Sequence, residues 1–339
     1  MNDWNKLLVG FNVEFLEKES EGVSGGAPSA PYTPGMEYDS RSLFIQDALD
    51  LFNNRVNIVL AGRYDRFDVE TKQPETFTLP DFNEKSEDWD HFSPKVGVGV
   101  KFLDELLRVR ASAGEGFKAP SADQLSADYV DSFNRRYVGN PDLDPETSLT
   151  WDLGFDIFHE LFTFSAGYFH TDYEDKIVRT TITVDDGPAT SYDNHGDATI
   201  AGFDLSLEWW IGKTFDLPFQ MALWTNATFN TTIDDKETRE DLLYISDYEV
   251  KSGVDVAWRD VAAQLSYTRV GPQMITNYDT YTDEEKDSFD FFDLTLRYRF
   301  LDGWQVEAAV LNLFDDRVEW VRGYLMPERN YRVGVSYTF

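Results

Sequence analysis

Along most of this chain, apolar and polar side chains alternate with a period of two. At the C-terminal end one face collects Tyr331, Val333, Val335, Tyr337 and Phe339, the other Arg332, Gly334, Ser336 and Thr338. The same alternation groups Leu294, Leu296, Tyr298 and Phe300, then Leu149, Trp151, Leu153, Phe155 and Ile157, then Phe203, Leu205, Leu207 and Trp209. Leu107, Val109, Ala111 and Ala113 oppose Arg108, Arg110 and Ser112, and Phe11, Val13 and Phe15 oppose Gly10, Asn12 and Glu14. Successive side chains of a strand point to opposite faces, so this period predicts strands with one apolar face; almost nothing repeats at helical spacing. About fourteen strands are expected, near 5–18, 41–52, 56–70, 93–103, 106–117, 148–159, 161–178, 190–211, 219–233, 247–258, 261–273, 289–301, 304–317 and 328–339.

The connections between them alternate in length. Long ones are expected at 19–40, 71–92, 118–147, 179–189, 234–246, 274–288 and 318–327. Short ones are Asn53-Asn54-Arg55, Asp104-Glu105, Glu160, the stretch 212–218, Arg259-Asp260 and Asp302-Gly303. A soluble sandwich or propeller has no reason to collect its long loops at one end, and it would leave these apolar faces in water. A transmembrane barrel sets its apolar faces in lipid, with short turns on one side of the membrane, long loops on the other and an even strand number. Mean hydropathy is −0.44, and no run of eighteen apolar residues suggests a membrane helix. A barrel escapes that test, because lipid-facing and lumen-facing residues average out. Met1–Lys6 shows no basic region leading into an apolar one.

Composition narrows the function. The 339 residues carry 62 Asp+Glu against 30 Lys+Arg, a formal net charge of −32. Nucleic-acid binding needs a basic footprint, so no nucleic-acid partner is expected. An aromatic share of 15% separates the chain from acidic disordered tails. Without cysteine there is no disulfide scaffold, thiolate zinc site or thiol nucleophile. His91, His159, His170 and His195 show no metal-binding spacing and are expected in loops or at strand ends, and no GxSxG elbow is present. An enzyme is therefore not expected, and no catalytic or metal-ligating residue is nominated. Acidic clusters at 172–175, 234–241 and 279–290 suit either a solvated surface facing divalent-bridged lipopolysaccharide or a Ca²⁺ site in the loops.

Several short motifs then come in order. Gly114-Glu115-Gly116-Phe117-Lys118-Ala119-Pro120-Ser121 and Gly139-Asn140-Pro141-Asp142-Leu143-Asp144-Pro145-Glu146-Thr147 resemble stretches in the barrels of TonB-dependent outer-membrane receptors. Gly62-Arg63-Tyr64-Asp65, Phe92-Ser93-Pro94-Lys95-Val96-Gly97, Asn312-Leu313-Phe314-Asp315-Asp316 and the closing strand to Phe339 are similar to further landmarks of that family. Locally, Pro120, Pro141 and Pro145 stiffen the entry to a long loop. Phe314 is expected to pack at a strand end, with Asn312 and Asp315 binding turn amides.

The resemblance implies an all-β, antiparallel up-and-down transmembrane barrel in the outer membrane of a Gram-negative bacterium. Residues 1–339 would be the C-terminal part of a 22-stranded barrel, without the plug domain or energy-coupling box. The rival is a self-closed fourteen-stranded passive porin. The resemblance further implies energy-dependent uptake of a bulky scarce nutrient, a ferric siderophore first, with cobalamin or haem next. Implied partners are membrane lipid and lipopolysaccharide, the parent receptor's plug, a TonB-type energy-coupling protein, and barrel-assembly machinery reading Phe339. No resident cofactor is implied, apart from Ca²⁺ in acidic extracellular loops as the cobalamin-receptor branch would have it. Ligand contacts are expected from Tyr129, Phe133, Arg135, Arg136 and Tyr137 in the longest loop. Arg108, Arg110, Arg297, Arg299 and Arg332 lie opposite the lipid face, where arginine would cost about 2–4 kcal/mol at the midplane. They are expected in the lumen, facing the plug, with Asp152, Asp156, Asp204, Glu208, Asp255 and Asp293 on matching faces and at least one arginine left without a carboxylate.

Overall fold

The structure is a computed structural model, and it describes all residues except 1–3, 30, 32–34, 79–83, 85, 127, 131–134, 239, 278–279 and 281. Fourteen long strands form one continuous antiparallel wall: β1 (Asn5–Lys18), β2 (Gly35–Leu51), β3 (Val56–Lys72), β4 (Ser86–Phe102), β5 (Leu107–Lys118), β6 (Glu146–His159), β7 (Phe162–Val184), β8 (Gly187–Trp209), β9 (Gln220–Asp235), β10 (Tyr248–Trp258), β11 (Val261–Val270), β12 (Phe289–Leu301), β13 (Trp304–Leu311) and β14 (Asn330–Tyr337). Each strand pairs with its sequence neighbours, as an up-and-down barrel wall requires. Among the described residues helix is confined to two short pieces, α1 (Ala122–Ser126) and α2 (Ile211–Thr214).

The short turns follow from residues that accept left-handed backbone. Asn53 and Asn54, Asp104 and Glu105, and Arg259 all have positive φ. At Gly303 (φ 77°) a Cβ would run into the carbonyl oxygen of Thr338, so only glycine closes that turn.

Three sequence expectations need correction. The long loop expected at 179–189 is strand instead: β7 and β8 run on to Val184 and Gly187, joined at Asp185-Asp186. Both aspartates have positive φ, the geometry of a tight hairpin turn. The sheet is also not purely antiparallel. The loop strand Arg136–Val138 pairs in parallel with β8 through Arg136 and Ala189. His91, His170 and His195 lie within strands and not in loops, since each has a stacking or hydrogen-bonding neighbour there.

The two faces of the wall divide as the alternation demands. Leu149, Trp151, Leu153, Phe155, Leu296, Tyr298, Val333, Val335 and Tyr337 are all exposed, although apolar or aromatic. Leu294 is half-buried, flanked by Leu265 and Val310 on the adjacent strands. Two aromatic belts bound this band. Tyr298, Phe300, Trp304, Tyr337 and Phe339 run in series at the short-turn end, with ring centroids 5.0–6.4 Å apart. Nearer the long loops, Trp151, Tyr168 and Phe203 form one run and Tyr267 with Phe292 another. Amphipathic rings at both margins of an apolar band are the mark of a membrane-spanning barrel. The buried core is correspondingly small and sits at the mouth, where Val69, Leu125, Leu143 and Tyr192 pack together.

Candidate functional site

The lumen face of β5–β7 is built from register. Arg108 lies opposite Asp156, Arg110 opposite Gly154 and Ser112 opposite Asp152, while Gly154 meets Gly167 on β7. Arg108 Nε donates to Asp156 Oδ2 at 2.8 Å, and Arg110 lies 3.4 Å from Asp152 and 3.5 Å from Asp156. Ser165 Oγ donates to the second Asp156 oxygen at 2.8 Å, and Ser112 donates to Asp152. The Asp156 side chain is 5% exposed, so these partners are what let its charge stay buried. Gly154 makes the arrangement possible. A Cβ there would stand 3.0 Å from Arg110 Cζ and 2.8 Å from the Ala166 carbonyl oxygen, so the guanidinium lies flat in the space a side chain would fill.

The second arginine group, on β12 and β14, is looser. Arg297 faces Glu307 across the pair and bonds it at 2.8 Å, and Arg332 approaches the same carboxylate at 3.9 Å. Arg299 has no carboxylate within 4 Å among the described residues. It borders a cavity of about 620 Å³ at the short-turn end, together with Lys213, Arg259 and Asp216. All five arginines thus lie on the face opposite the exposed apolar band, and among the described residues one lacks an acidic partner. The partners were only partly legible. Of the six carboxylates nominated, Asp152 and Asp156 serve arginines. Asp204 accepts from Thr228, Glu208 from the Trp210 indole and Asp293 from the Asn312 amide. Glu307 was missed, although its place between Gln305 and Ala309 on the polar face of β13 was the available signal.

At the opposite end the longest loop is tied down. Asn140 Nδ2 donates to the Tyr192 carbonyl at 3.0 Å, and Asn140 Oδ1 accepts from the Asp142 amide. Asn194 on β8 accepts from the Asp144 amide and donates to the carbonyls of Asp144 and Asp175, each at 2.7–2.8 Å. Glu146 accepts from the Ile177 amide and from Lys118. The Gly139–Thr147 motif is therefore a clasp holding the loop against the β7–β8 hairpin, with Leu143 as its buried stud. Asn194 was missed because nothing local marks it. Beside the clasp, Tyr38, Phe67, Phe117 and His91 stack in a row 4.7–5.8 Å apart, which gives Phe117 of the earlier motif its place. In the other motifs, Arg63 bonds Asp65 and Ser42, Asn312 and Asp315 cap the turn, and Phe314 lies exposed, edge-on to Phe292.

Of the nominated loop residues, Arg136 and Tyr137 lie on the strand added to β8, and Arg136 binds Asp185 at the hairpin tip at 2.9 Å. Tyr129 pairs with Tyr137 along the backbone, Arg135 is exposed beside them, and Phe133 lies outside the described residues. Asp193 and the Asn194 carbonyl raise the His195 imidazole above its usual value, the backbone contact being the larger cause. Single members of the acidic clusters have internal partners. Asp172 takes Thr199, Lys236 and His170. Burial raises the Asp235 carboxyl, yet the amides of Thr238 and Glu237 and the Lys176 ammonium bring it below the usual carboxylate range. Among the described residues no group of three or more His, Asp or Glu could hold a metal ion.

With this geometry in hand, comparison with known proteins places the chain. Residues 2–313 match the family model described as TonB dependent receptor-like, beta-barrel. The chain is 26% identical to an iron-regulated outer membrane virulence protein of Vibrio cholerae, over 74% of this chain and 40% of that protein. It is 23% identical to the ferric enterobactin receptor PirA of Pseudomonas aeruginosa, over 100% of this chain and 46% of the relative. It thus spans less than half the length of these relatives. Among solved structures, the copper transporter OprC superposes with a TM-score of 0.77 at 17% identity, covering 99% of this chain and 56% of that one. The siderophore receptor PirA from Acinetobacter baumannii gives 0.68 at 17%, covering 99% and 60%. At these identities the superpositions speak for the fold, and the match over residues 2–313 speaks for descent: the chain belongs to the TonB-dependent receptor family and forms part of its outer-membrane β-barrel.

Proposed function

We propose that this chain is the barrel part of a receptor that imports a ferric siderophore across the outer membrane, driven by a TonB-type protein acting through a plug domain of the parent protein. One observation carries the reading. The wall joins a clasped loop at the mouth to an arginine-bearing lumen face whose Arg299 has no acidic partner among the described residues, so ligand capture and an internal partner both have surfaces. The relatives named as iron-regulated and siderophore receptors support the cargo class. In this proposal Tyr129, Phe133, Arg135, Arg136 and Tyr137 contact the ligand at the mouth, since guanidinium and aromatic groups suit an anionic iron chelate. Arg108, Arg110, Arg297, Arg299 and Arg332 face the plug. Phe339, fully exposed at the end of the lower belt, is offered to assembly machinery.

Cells producing the whole receptor that carries this barrel are given radiolabelled ferric catecholate, ferric hydroxamate, cobalamin and haem, with and without an uncoupler. Uptake of one ferric siderophore that stops when the proton gradient collapses is the expected result. Uptake that ignores the uncoupler would establish a passive channel instead, and uptake of cobalamin or haem alone would replace the cargo.

A further inference from the structure

Most strand arginines point into the lumen, but Arg269 does not. On β11 it shares the outward face with Val261, Ala263, Leu265 and Tyr267, and across the sheet with Leu294 and Phe292. Counted from Val261 beside the lower belt, about 3.3 Å per residue and about 40° of tilt raise it by roughly 20 Å. That puts it at the upper margin of an apolar band about 25 Å tall, level with the Tyr267–Phe292 pair.

Its direct hydrogen-bond partners there are neutral hydroxyls. Arg269 Nε donates to Tyr248 Oη at 3.0 Å and a terminal nitrogen to Ser288 Oγ at 3.2 Å, while Tyr267 supplies a third hydroxyl oxygen. Asp290 stands directly opposite in the register, yet it accepts from Tyr267 Oη at 2.9 Å. No carboxylate lies within 4 Å of Arg269 among the described residues. Two other outward arginines at the loop end are neutralised: Arg41 by Asp39 and Asp68, Arg66 by Asp68 and Asp88. Arg269 is therefore a positive charge fixed by hydroxyls at the lipid margin. A guanidinium has five N–H donors, and Tyr248 and Ser288, which accept from it, keep their own O–H to donate, whereas that of Tyr267 goes to Asp290.

We infer that Arg269, Tyr248 and Ser288 form a site for a lipid A phosphate of the outer leaflet. The chemistry fits in three respects. The planar fork matches phosphate oxygens bidentately, the two hydroxyls add donors, and the flanking rings of Tyr267 and Phe292 contact the start of the acyl chains. A carboxylate paired directly with Arg269 would compete with this ligand, and Asp290, opposite in the register, is bonded to Tyr267 Oη instead. The inference rests on placement in the outer membrane and not on the cargo, so the uptake experiment above leaves it untouched.

The receptor is purified from outer membranes in mild detergent, delipidated, and titrated by native mass spectrometry with bisphosphorylated lipid A and with the same lipid dephosphorylated. The intact protein is expected to bind the phosphorylated form about tenfold or more tightly than the other. Arg269→Gln should erase that difference, Arg269→Lys retain part of it, and Arg66→Gln leave it in place. Equal binding of the two lipids, or a preference that survives Arg269→Gln, overturns the site. If Arg269→Gln fails to assemble, judged by heat-modifiable gel mobility, a photo-crosslinking residue at Ser288 decides. Label transfer to lipid A in cells supports the site, and labelling of phospholipid alone overturns it.

Discussion

The two arginine groups of the lumen wall have the same sequence signature and opposite physical outcomes. Arg108 and Arg110 on β5, like Arg297 and Arg299 on β12, are consecutive polar positions opposite lipid-facing residues. On β5 both meet carboxylates from β6, and two glycines on successive strands let a guanidinium lie flat against the sheet. The charges there are consumed by the wall itself. On β12 one arginine is neutralised by Glu307, which also leans toward Arg332, and the other is left to the lumen. A repeated Arg-x-Arg therefore says which way the side chains point, while their neighbours decide whether they stabilise the wall or remain available to a partner.

The contrast can be broken most sharply at Asp156. Replacing it with alanine strands Arg108 and Ser165 and leaves Arg110 only Asp152, and should cost about 3 kcal/mol in denaturant unfolding of detergent-solubilised barrel. A loss below about 1 kcal/mol would show that lumen water already screens the group. Gly154→Val comes next, at about 2 kcal/mol, because its Cβ meets the Ala166 carbonyl oxygen and displaces Arg110. The same change at Gly99, whose nearest neighbour stands 3.9 Å away, should cost less, so the pair isolates the crowding at Gly154. Glu307→Gln removes one carboxylate from two arginines that remain partly hydrated, and about 1 kcal/mol is expected.

A smaller effect belongs to the loops. The hairpin Gln273–Asn277/Thr282–Lys286 is joined to the hairpin Glu319–Val321/Tyr324–Leu325 by the Arg322–Glu284 ion pair and by Gln273 Nε2 donating to the Trp320 carbonyl. Asn277 and then Arg322 lower the Glu284 carboxyl below its usual 4.5. A depressed carboxylate contributes fully above its unfolded value and is lost as pH falls through the folded one. Protease clipping of these hairpins should therefore be flat from neutral pH down to about 4.5 and rise below it, and Glu284→Gln should clip at the acidic rate throughout. Smallest of all in stability is Arg299→Gln, expected within about 0.5 kcal/mol of the parent. Its effect should appear instead as weaker, less salt-sensitive binding of the plug added in trans to the barrel. Unchanged plug binding would place the second arginine group outside that interface.

Much of this molecule is legible in the alternation of its side chains. Period two fixed the fourteen wall strands, the lipid face and the inward direction of all five nominated arginines, because the pleat leaves a side chain only two directions. The motifs marked Asn140, Leu143 and Asn312 as special, and each has a structural task. Other features depended on register and on contacts distant in sequence. Whether Asp156 or Glu307 meets an arginine follows from how strands slide past one another, which turn geometry sets. Asn194 holds Asp144 from fifty positions away, and the Arg136–Val138 strand joins β8 in parallel, in a loop whose sequence carries no strand period. The outward guanidinium of Arg269 follows from its register with Leu265 and Tyr267. Only the tertiary structure showed Asp290 bonded to Tyr267, because a single side-chain hydrogen bond, invisible to any pattern of residue types, decides where that charge is left.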